Sequence, residues 1–374
     1  MNELGNGFKI FRMGEVQDGK LVDTGRMKYA DIPPEEFEKY KLRAGDVLFN
    51  RTNSFELVGK TGIFELHGDY CFASYLVRLN LDRAAILPEF LNYLMNSDRF
   101  QKSVKEKASK SINQANINAT ILSNELICFP ELLSEQQRIV EILDESFEAI
   151  ATARANAGKN ITEARELFQS HAKSLFLQGQ NRWPLRFLNQ ISSNLDSKRI
   201  PITKSERKAG EYPYYGASGI VDYVADYIFD HDALLVSEDG ANLLARSTPI
   251  AFSASGRYWV NNHAHILKFD HMATQKFVEF YLESIPLDEY ITGAAQPKLN
   301  QKGLNSIPIP MPDQVDDQQN VVLQLSTLKA KSDILQGIYE QKLAALDALK
   351  KSLFHQAFSG ELTSMVAEEM EAVA

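Results

Sequence analysis

Ser134-Glu135-Gln136-Gln137-Arg138-Ile139-Val140 follows Pro130 after a short gap, and Asp316-Asp317-Gln318-Gln319-Asn320-Val321-Val322 follows Pro312 in the same way. An apolar strand precedes each proline. Before each strand stands a further matching stretch, Ser111-Ile112-Asn113-Gln114 in one place and Lys298-Leu299-Asn300-Gln301 in the other. A phrase written twice in 374 residues, half a chain apart, means two copies of one module, each a variable globular part feeding a long helix. Such a duplication favours a pseudo-twofold arrangement and suits a target that itself has two halves.

The match extends upstream. Asp46-Val47-Leu48-Phe49-Asn50-Arg51-Thr52 aligns with Ala233-Leu234-Leu235-Val236-Ser237-Glu238-Asp239, and Gly59 to Phe64 with Arg246 to Ala251. Tyr70-Cys71-Phe72 and the Tyr75–Leu79 run align with Tyr258-Trp259-Val260 and the His263–Leu267 run. Each copy is therefore expected to hold the same succession of short strands. Gly5-Asn6-Gly7-Phe8-Lys9-Ile10-Phe11 takes the place of Gly210-Glu211-Tyr212-Pro213-Tyr214-Tyr215-Gly216. The second copy carries a stretch ahead of that point, beginning Trp183-Pro184-Leu185, that the first lacks, so the first domain is expected to be short of its opening elements.

With 44% apolar and 24% charged residues the chain can bury sizeable cores. No apolar run approaches the ~18 residues of a membrane span, and Met1 to Ile10 lacks a signal-peptide pattern, so a cytoplasmic protein away from membranes is expected. Cys71 and Cys128 fall within apparent strands without metal-ligand spacing, which predicts free buried thiols, no disulfide and no metal. The formal net charge is −9. Its acidity sits mostly in residues 131–181 and 313–374, while the two globular parts are close to neutral and lend no positive support for nucleic-acid binding.

Helical spacing is strongest after each proline. Ser134 with Gln137, and Asp316 with Gln319, fit the capping-box pattern. Small or apolar residues then recur at Ile139, Leu143, Ser146, Ile150, Ala153, Ala157, Ile161, Ala164, Phe168 and Leu175, and again at Val321, Leu325, Leu328, Ser332, Leu335, Tyr339, Leu343, Leu346, Leu349 and Leu353. One narrow stripe on each helix is a coiled-coil seam, and burying both stripes requires the helices to pack antiparallel. A helix of ~45 residues would be roughly 65 Å long. The globular parts read as α+β: short Tyr/Val/Ile/Phe strands with turn signals over 212–270, then helical pieces at Pro88 to Lys107 and Ala273 to Tyr290.

Several linked signals make the chain resemble the specificity subunits of type I restriction-modification systems over nearly its whole length. They are the Trp183-Pro184-Leu185 entry with Leu188 and Ile191, the turn Tyr212-Pro213-Tyr214-Tyr215-Gly216-Ala217-Ser218-Gly219, Lys298-Leu299-Asn300, the Gln-Gln helix starts, and Ser352-Leu353-Phe354-His355-Gln356-Ala357-Phe358-Ser359-Gly360-Glu361-Leu362. The resemblance implies two α/β target recognition domains separated by two long antiparallel coiled-coil helices, each domain reading half of a bipartite double-stranded DNA sequence. It implies as partners type I methyltransferase (M) subunits and restriction/translocase (R) subunits, and no cofactor of the chain's own. The division it suggests is 1–130 for the first target recognition domain, 131–181 for the central helix, 182–312 for the second domain, 313–362 for the C-terminal helix and 363–374 for an acidic tail. The shortened first domain departs from the family pattern.

Motifs for catalysis do not emerge. Gly59-Lys60-Thr61 resembles the end of a phosphate-binding loop, but Ser54 stands where its first glycine should be. Asp31-Ile32-Pro33-Pro34 is not the tetrapeptide of amino-methyltransferases. His263 and His265 lack a third ligand, and Glu238-Asp239-Gly240 reads as a polar turn. A non-catalytic recognition subunit is therefore expected. The alternatives are a coiled-coil adaptor whose globular ends bind protein or carbohydrate, and a self-contained nuclease or methyltransferase, which the missing motifs disfavour. Base edges are matched by Arg or Lys for guanine, Asn or Gln for adenine and Asp or Glu for cytosine, with other side chains holding phosphates. Loops rich in these types nominate Arg12, Asn50, Arg51, Thr52, Asn53, Lys60, Lys110, Asn113 and Gln114 in the first domain. In the second they nominate Tyr214, Tyr215, Ala217, Ser218, Glu238, Asp239, Asn242, Arg246, Asn261, Asn262, His263, Lys298 and Asn300. Asn113 and Asn300, repeated in both copies, suit a phosphate contact or a structural turn rather than discrimination.

Overall fold

A computed structural model describes residues 1–362 apart from Leu4, Asn113 and Ala294. It divides into two units, one from Met1 to Ala157 completed by the chain from Gln341 onward, the other from Gly158 to Glu340.

Unit 1 opens with β1 (Phe8–Phe11), β2 (Val16–Gln17), β3 (Lys20–Leu21), β4 (Lys28–Ala30) and α1 (Pro34–Tyr40). There follow β5 (Val47–Asn50), β6 (Thr52–Asn53), β7 (Thr61–Ile63), β8 (Tyr70–Phe72) and β9 (Leu76–Leu79), then α2 (Pro88–Asn96), α3 (Asp98–Glu106), β10 (Ser109–Lys110), β11 (Ala115–Asn116) and α4 (Ala119–Ser123). A long helix, α5 (Leu133–Gln180), closes the first copy. The sheets run β2-β3-β7-β5-β9, β4-β1-β8 and β10-β11-β6. The second copy begins with β12 (Leu185–Arg186), α6 (Leu188–Ile191) and β13 (Ser193–Asn194). It continues with β14 (Ala209–Gly216), β15 (Gly219–Val224), β16 (Phe229–Asp230), β17 (Ala233–Ser237), α7 (Asn242–Ala245), β18 (Ala251–Ala254), β19 (Arg257–Val260) and β20 (Ala264–Lys268). Then come α8 (Met272–Ser284), α9 (Gln301–Asn305), β21 (Ile309–Pro310) and the second long helix, α10 (Val315–Ser359). Its sheets are β13-β20-β17-β18, β15-β14-β19-β16 and β12-β21.

The copies share their pairing. β1 runs parallel to β8 as β14 does to β19, and β5 lies antiparallel between β7 and β9 as β17 does between β18 and β20. Backbone bonds fix the register: Arg51 N donates to Tyr75 O as Glu238 N does to His263 O, and Ile117 N donates to Arg51 O as Leu299 N does to Glu238 O. Three sequence alignments shift accordingly. Phe49 pairs with Thr61 as Val236 pairs with Ala251, so Thr61 rather than Phe64 answers Ala251. Ala73 N donates to Phe11 O where Asn261 N donates to Tyr215 O, so Phe11 answers Tyr215 rather than Gly216. Lys298-Leu299-Asn300 matches Asn116-Ile117-Asn118, because Asn118 and Asn300 each cap a short helix through the side-chain oxygen, to Ile121 N and Gly303 N respectively. Matching Asn113 to Asn300 followed the letters Asn-Gln and ignored the spacing to the proline; Asn113 itself lies outside the described residues.

In unit 1, Ile139 and Leu143 of α5 share a buried core with Ala357 of α10 and Leu362, together with Phe90, Leu94 and Ile117. In unit 2, Ala172 and Phe176 of α5 and Leu325 of α10 pack with Phe277, Tyr281 and Leu299. Within each unit the two helices run antiparallel: the Phe147 ring packs at a tilt on Phe354 and Arg154 pairs with Asp347 in unit 1, while Ser332 Oγ donates to Ala164 O in unit 2. No predicted seam residue of α5 is exposed. On α10, however, Leu335 and Leu349 face solvent, and Gln336 and Lys350 take their places, which restores alternating steps of four and three along 332, 336, 339, 343, 346, 350, 353 and 357. The capping boxes also differ from expectation. Helical bonds already reach back to Leu132 and Gln314, so Ser134 and Asp316 lie inside the first turn. Gln136 and Gln318 secure the two starts instead, each donating from Nε2 to the proline carbonyl, Pro130 or Pro312.

Cys71 is buried, and burial pushes its thiol up to about 11, but Cys128 is exposed, contrary to expectation. The strand expected around Cys128 does not form, so nothing covers that thiol. Among the described residues no helix is long and apolar enough to cross a membrane.

Candidate nucleic-acid interface

In unit 2 the ends of β14, β17 and β19 deliver most of the nominated loop residues to one face. Ser237 Oγ donates to Ala217 O, Asn242 Nδ2 reaches Ser218 Oγ (3.3 Å), and Asp239 pairs with His263 Nδ1 at 2.9 Å and forms a backbone bridge with Lys298. Asn261 Oδ1 accepts from His263 N, shaping the turn that exposes Asn262 and His263. Ser218, Asn262, His263 and Lys298 are exposed, and Asp239 and Asn242 half-buried.

Behind this face lies a charged network that residue types alone did not reveal. Arg199 Nη1 donates to Glu238 Oε2 at 2.7 Å, and Lys298 Nζ is 3.2 Å from Glu238 Oε1. His265 is 1% exposed; its Nδ1 lies 2.5 Å from Asp196 Oδ2 and its Nε2 2.8 Å from Leu299 O, so both ring nitrogens face oxygen atoms. Burial works to raise the carboxyls of Asp196 and Glu238. Hydrogen bonds and charge from His265 hold Asp196 below the usual range, and Arg199, His265 and Lys298 do the same for Glu238. Asp196, Glu238 and His265 have metal-like spacing, but the Arg199 guanidinium already pairs with both carboxylates and Lys298 with Glu238.

Several nominated side chains are spent inside the protein. Glu238 is one, through those ion pairs. Tyr214 is 1% exposed, its hydroxyl at the backbone of Ile202, and Tyr215 packs against Tyr258 and Phe252. Arg246, in a left-handed conformation (φ 51°), donates to the carbonyls of Leu282 (3.2 Å) and Ile285 (2.8 Å) and so clamps the end of α8. Asn300 is the cap of α9.

In unit 1 the small sheet β10-β11-β6 gathers Thr52, Asn53, Lys110 and, close by, Gln114. Asn116 Nδ2 donates to Thr52 Oγ1 at 2.7 Å, and Lys110 Nζ sits 4.0 Å over the Phe55 ring. Arg12 pairs with buried Glu15 at 2.8 Å, Lys60 is half-buried, and Asn50 is wholly buried. Arg51 adjoins this sheet, half-buried. Asn116 and Phe55 were missed because one lies outside the aligned motif and the other reads as a core aromatic.

Two α/β copies, each completed by segments of both long helices, with polar loops gathered at the strand ends, define a duplicated two-domain protein. The model of the type I restriction modification DNA specificity domain matches residues 2–159 and again 181–341, and the chain belongs to that family. It is 26% identical to a putative type I restriction enzyme MjaX specificity subunit of Methanocaldococcus jannaschii, covering 95% of this chain and 87% of that one. A putative specificity subunit, S.HindORF215P, of Haemophilus influenzae is 32% identical across 38% of this chain and 36% of its own length. Among solved structures, a chain from work on complex assembly and conformational transition of the type I R-M system aligns with a TM-score of 0.76 at 17% identity, over 95% of this chain and 92% of that one. The HsdS subunit of Thermoanaerobacter tengcongensis aligns at 0.58, also at 17% identity, over 95% and 90%. These likenesses show the fold.

Proposed function

We propose that each unit reads one half of a bipartite double-stranded DNA target, as the non-catalytic recognition subunit on which M and R subunits of a cytoplasmic type I system assemble. One observation carries the reading: equivalent backbone bonds hold different side chains at equivalent places. Arg51 stands where Glu238 does, Thr52 where Asp239 does, Tyr75 where His263 does and Asn116 where Lys298 does. A constant frame with variable polar tips suits two different base sequences. Exposed Lys110 and Lys298 suit phosphates, which position a protein without reading sequence. Residues 1–130 and 182–312 are assigned as the two target recognition domains, and 131–181 and 313–362 as the helices. Apolar side chains left exposed on α10, Leu323, Ile334 and Ile338, support attachment of partner subunits, to which methyl transfer and cleavage are assigned.

The test exchanges residues 182–312 for the equivalent part of a relative with a different target and maps methylation in cells that supply the M subunit. One half of the methylated motif should change. A change in both halves, or in neither, would overturn the reading, and assembly without sequence-selective, salt-dependent duplex binding would favour the adaptor instead.

A further inference from the structure

We infer that unit 1 accepts a polypeptide segment along the open edge of β9 and the unpaired stretch Ile127–Phe129, in the place that residues 184–199 fill in unit 2. In unit 2 this one stretch covers two edges. β12 pairs with β21, Met311 N donating to Pro184 O, and β13 then pairs with β20, where Leu195 N donates to Ile266 O and Asp196 Oδ1 accepts from Ile266 N. Beneath it Ile309, Met311, His265, Ile266 and Leu267 are all buried.

The equivalent edges of unit 1 are bare among the described residues. β9 ends its sheet with no outer neighbour, and Val77, Arg78 and Leu79, the counterparts of His265, Ile266 and Leu267, are all partly exposed. At the other edge Ile127, Cys128 and Phe129 answer Ile309, Pro310 and Met311 by their spacing to the proline; Cys128 and Phe129 are exposed and the adjoining Leu126 is 94% exposed. A hollow of about 170 Å³ opens there between Phe100, Leu126, Ile127 and Phe358. Both edges that a single segment shields in one copy are thus open in the other. The niche of Trp183 is filled: Phe358 packs on Phe90 (5.5 Å) as Trp183 packs on Phe277 (5.7 Å), so the occupant begins where Pro184 does.

Charge fixes the occupant's far end. At the Glu238 place, where Arg199 supplies the counter-charge in unit 2, unit 1 has Arg51, whose guanidinium has no hydrogen-bond or ion-pair partner among the described residues and whose Nε is shut from water. Asn50, next to it, is 0% exposed with neither amide atom partnered. A half-buried cation calls for an acceptor. The occupant is therefore a strand–helix–strand segment with an apolar residue at the place of Leu188, which is 0% exposed in unit 2, and a carboxylate at the Arg199 place, added by main-chain pairing.

The test uses the full chain and a peptide of the sequence of residues 184–199, with and without Arg199→Glu. The Arg199→Glu peptide should slow hydrogen exchange at Val77–Leu79 and at Ile127–Phe129 together, and bind roughly tenfold tighter than the unchanged peptide, a difference of about 1.4 kcal/mol. In the Arg51→Glu chain that order should invert, and in Arg51→Gln, chosen to retain the fold, the difference should vanish. A peptide carrying Leu185→Cys activated as its disulfide with thionitrobenzoate should be captured by Cys128 through thiol–disulfide exchange, releasing thionitrobenzoate, because Leu185 pairs with Pro310, the counterpart of Cys128. Protection at one edge only, protection confined to unit 2, or affinity indifferent to the charge at position 199 would each overturn the inference.

Discussion

Gln136 Nε2 donates to the carbonyls of Ala85 and Pro130 while its Oε1 accepts from Leu87 N, so one buried amide ties the start of α5 to the loop before α2. Gln318 does the same work in unit 2, donating to Pro312 O and accepting from Thr274 Oγ1. Gln136→Leu keeps the volume and leaves three backbone groups without this partner, each costing about 1–3 kcal/mol when fully unpaired; because Ala85 is exposed and water can reach its carbonyl, the two remaining groups should cost unit 1 roughly 2–6 kcal/mol with unit 2 unaffected. Hydrogen exchange resolved by unit checks it; equal loss in both units would contradict the assignment. The charged network of unit 2 adds a pH dependence. Asp196 and Glu238 titrate below their ordinary range when folded, so their contribution is complete above the usual Asp and Glu values and is lost as pH falls through the lowered ones. Asp196→Asn should therefore flatten the acid limb of unit 2's stability curve, and an unchanged acid midpoint would count against it. Little of this was legible beforehand. The Gln-Gln repeat flagged the right residues, but Asp196 and His265 lie 69 positions apart, and Arg246 and Ile285 meet only through the sheet and α8.

At the scale of elements, the two long helices were the most legible part, since a seam shows in the spacing of small and apolar residues alone. Leu143 is 0% exposed and Leu325 is its equivalent in unit 2, also 0%. Leu143→Asp buries a carboxylate among Ile139, Phe90 and Ala357 and should cost unit 1 about 3–5 kcal/mol. Leu346→Asp, at a half-buried seam position, should cost markedly less, and chemical denaturation of the two variants orders them. Equal effects would mean that the seam rather than the globular core dominates. Where the reading of α10 slipped, at Leu335 and Leu349, the cause is that leucines also line its outer face, and hydrophobicity alone cannot tell a seam from a neighbouring exposed stripe. The strands were found by the repeat, but their register came only from backbone pairing, which is why the Phe11, Phe64 and Asn113 alignments moved.

For the whole molecule, the way the chain is divided matters more than the symmetry of its halves. Unit 2 is contiguous, from Gly158 to Glu340, and carries its own stretches of α5 and α10. Unit 1 is not: its core includes Ala357 and Leu362, with Leu353 and Phe358 packed against it, all contributed after the second copy has been completed. Ending the chain at Glu340 removes those side chains and uncovers Phe90, Ile139 and Leu143. At about 1.5–3 kcal/mol for each large apolar side chain returned to water, the loss rivals the whole stability of a domain. The truncated chain should therefore keep unit 2 folded, with slow exchange in β17 and β20, while β5, α2 and the first turns of α5 lose protection and become open to protease. Adding back a peptide of residues 341–362 should restore them, because the deleted helix contributes packing to unit 1 and nothing to the core of unit 2. Loss of protection in both units on truncation, or in neither, would show that the C-terminal helix does not complete unit 1.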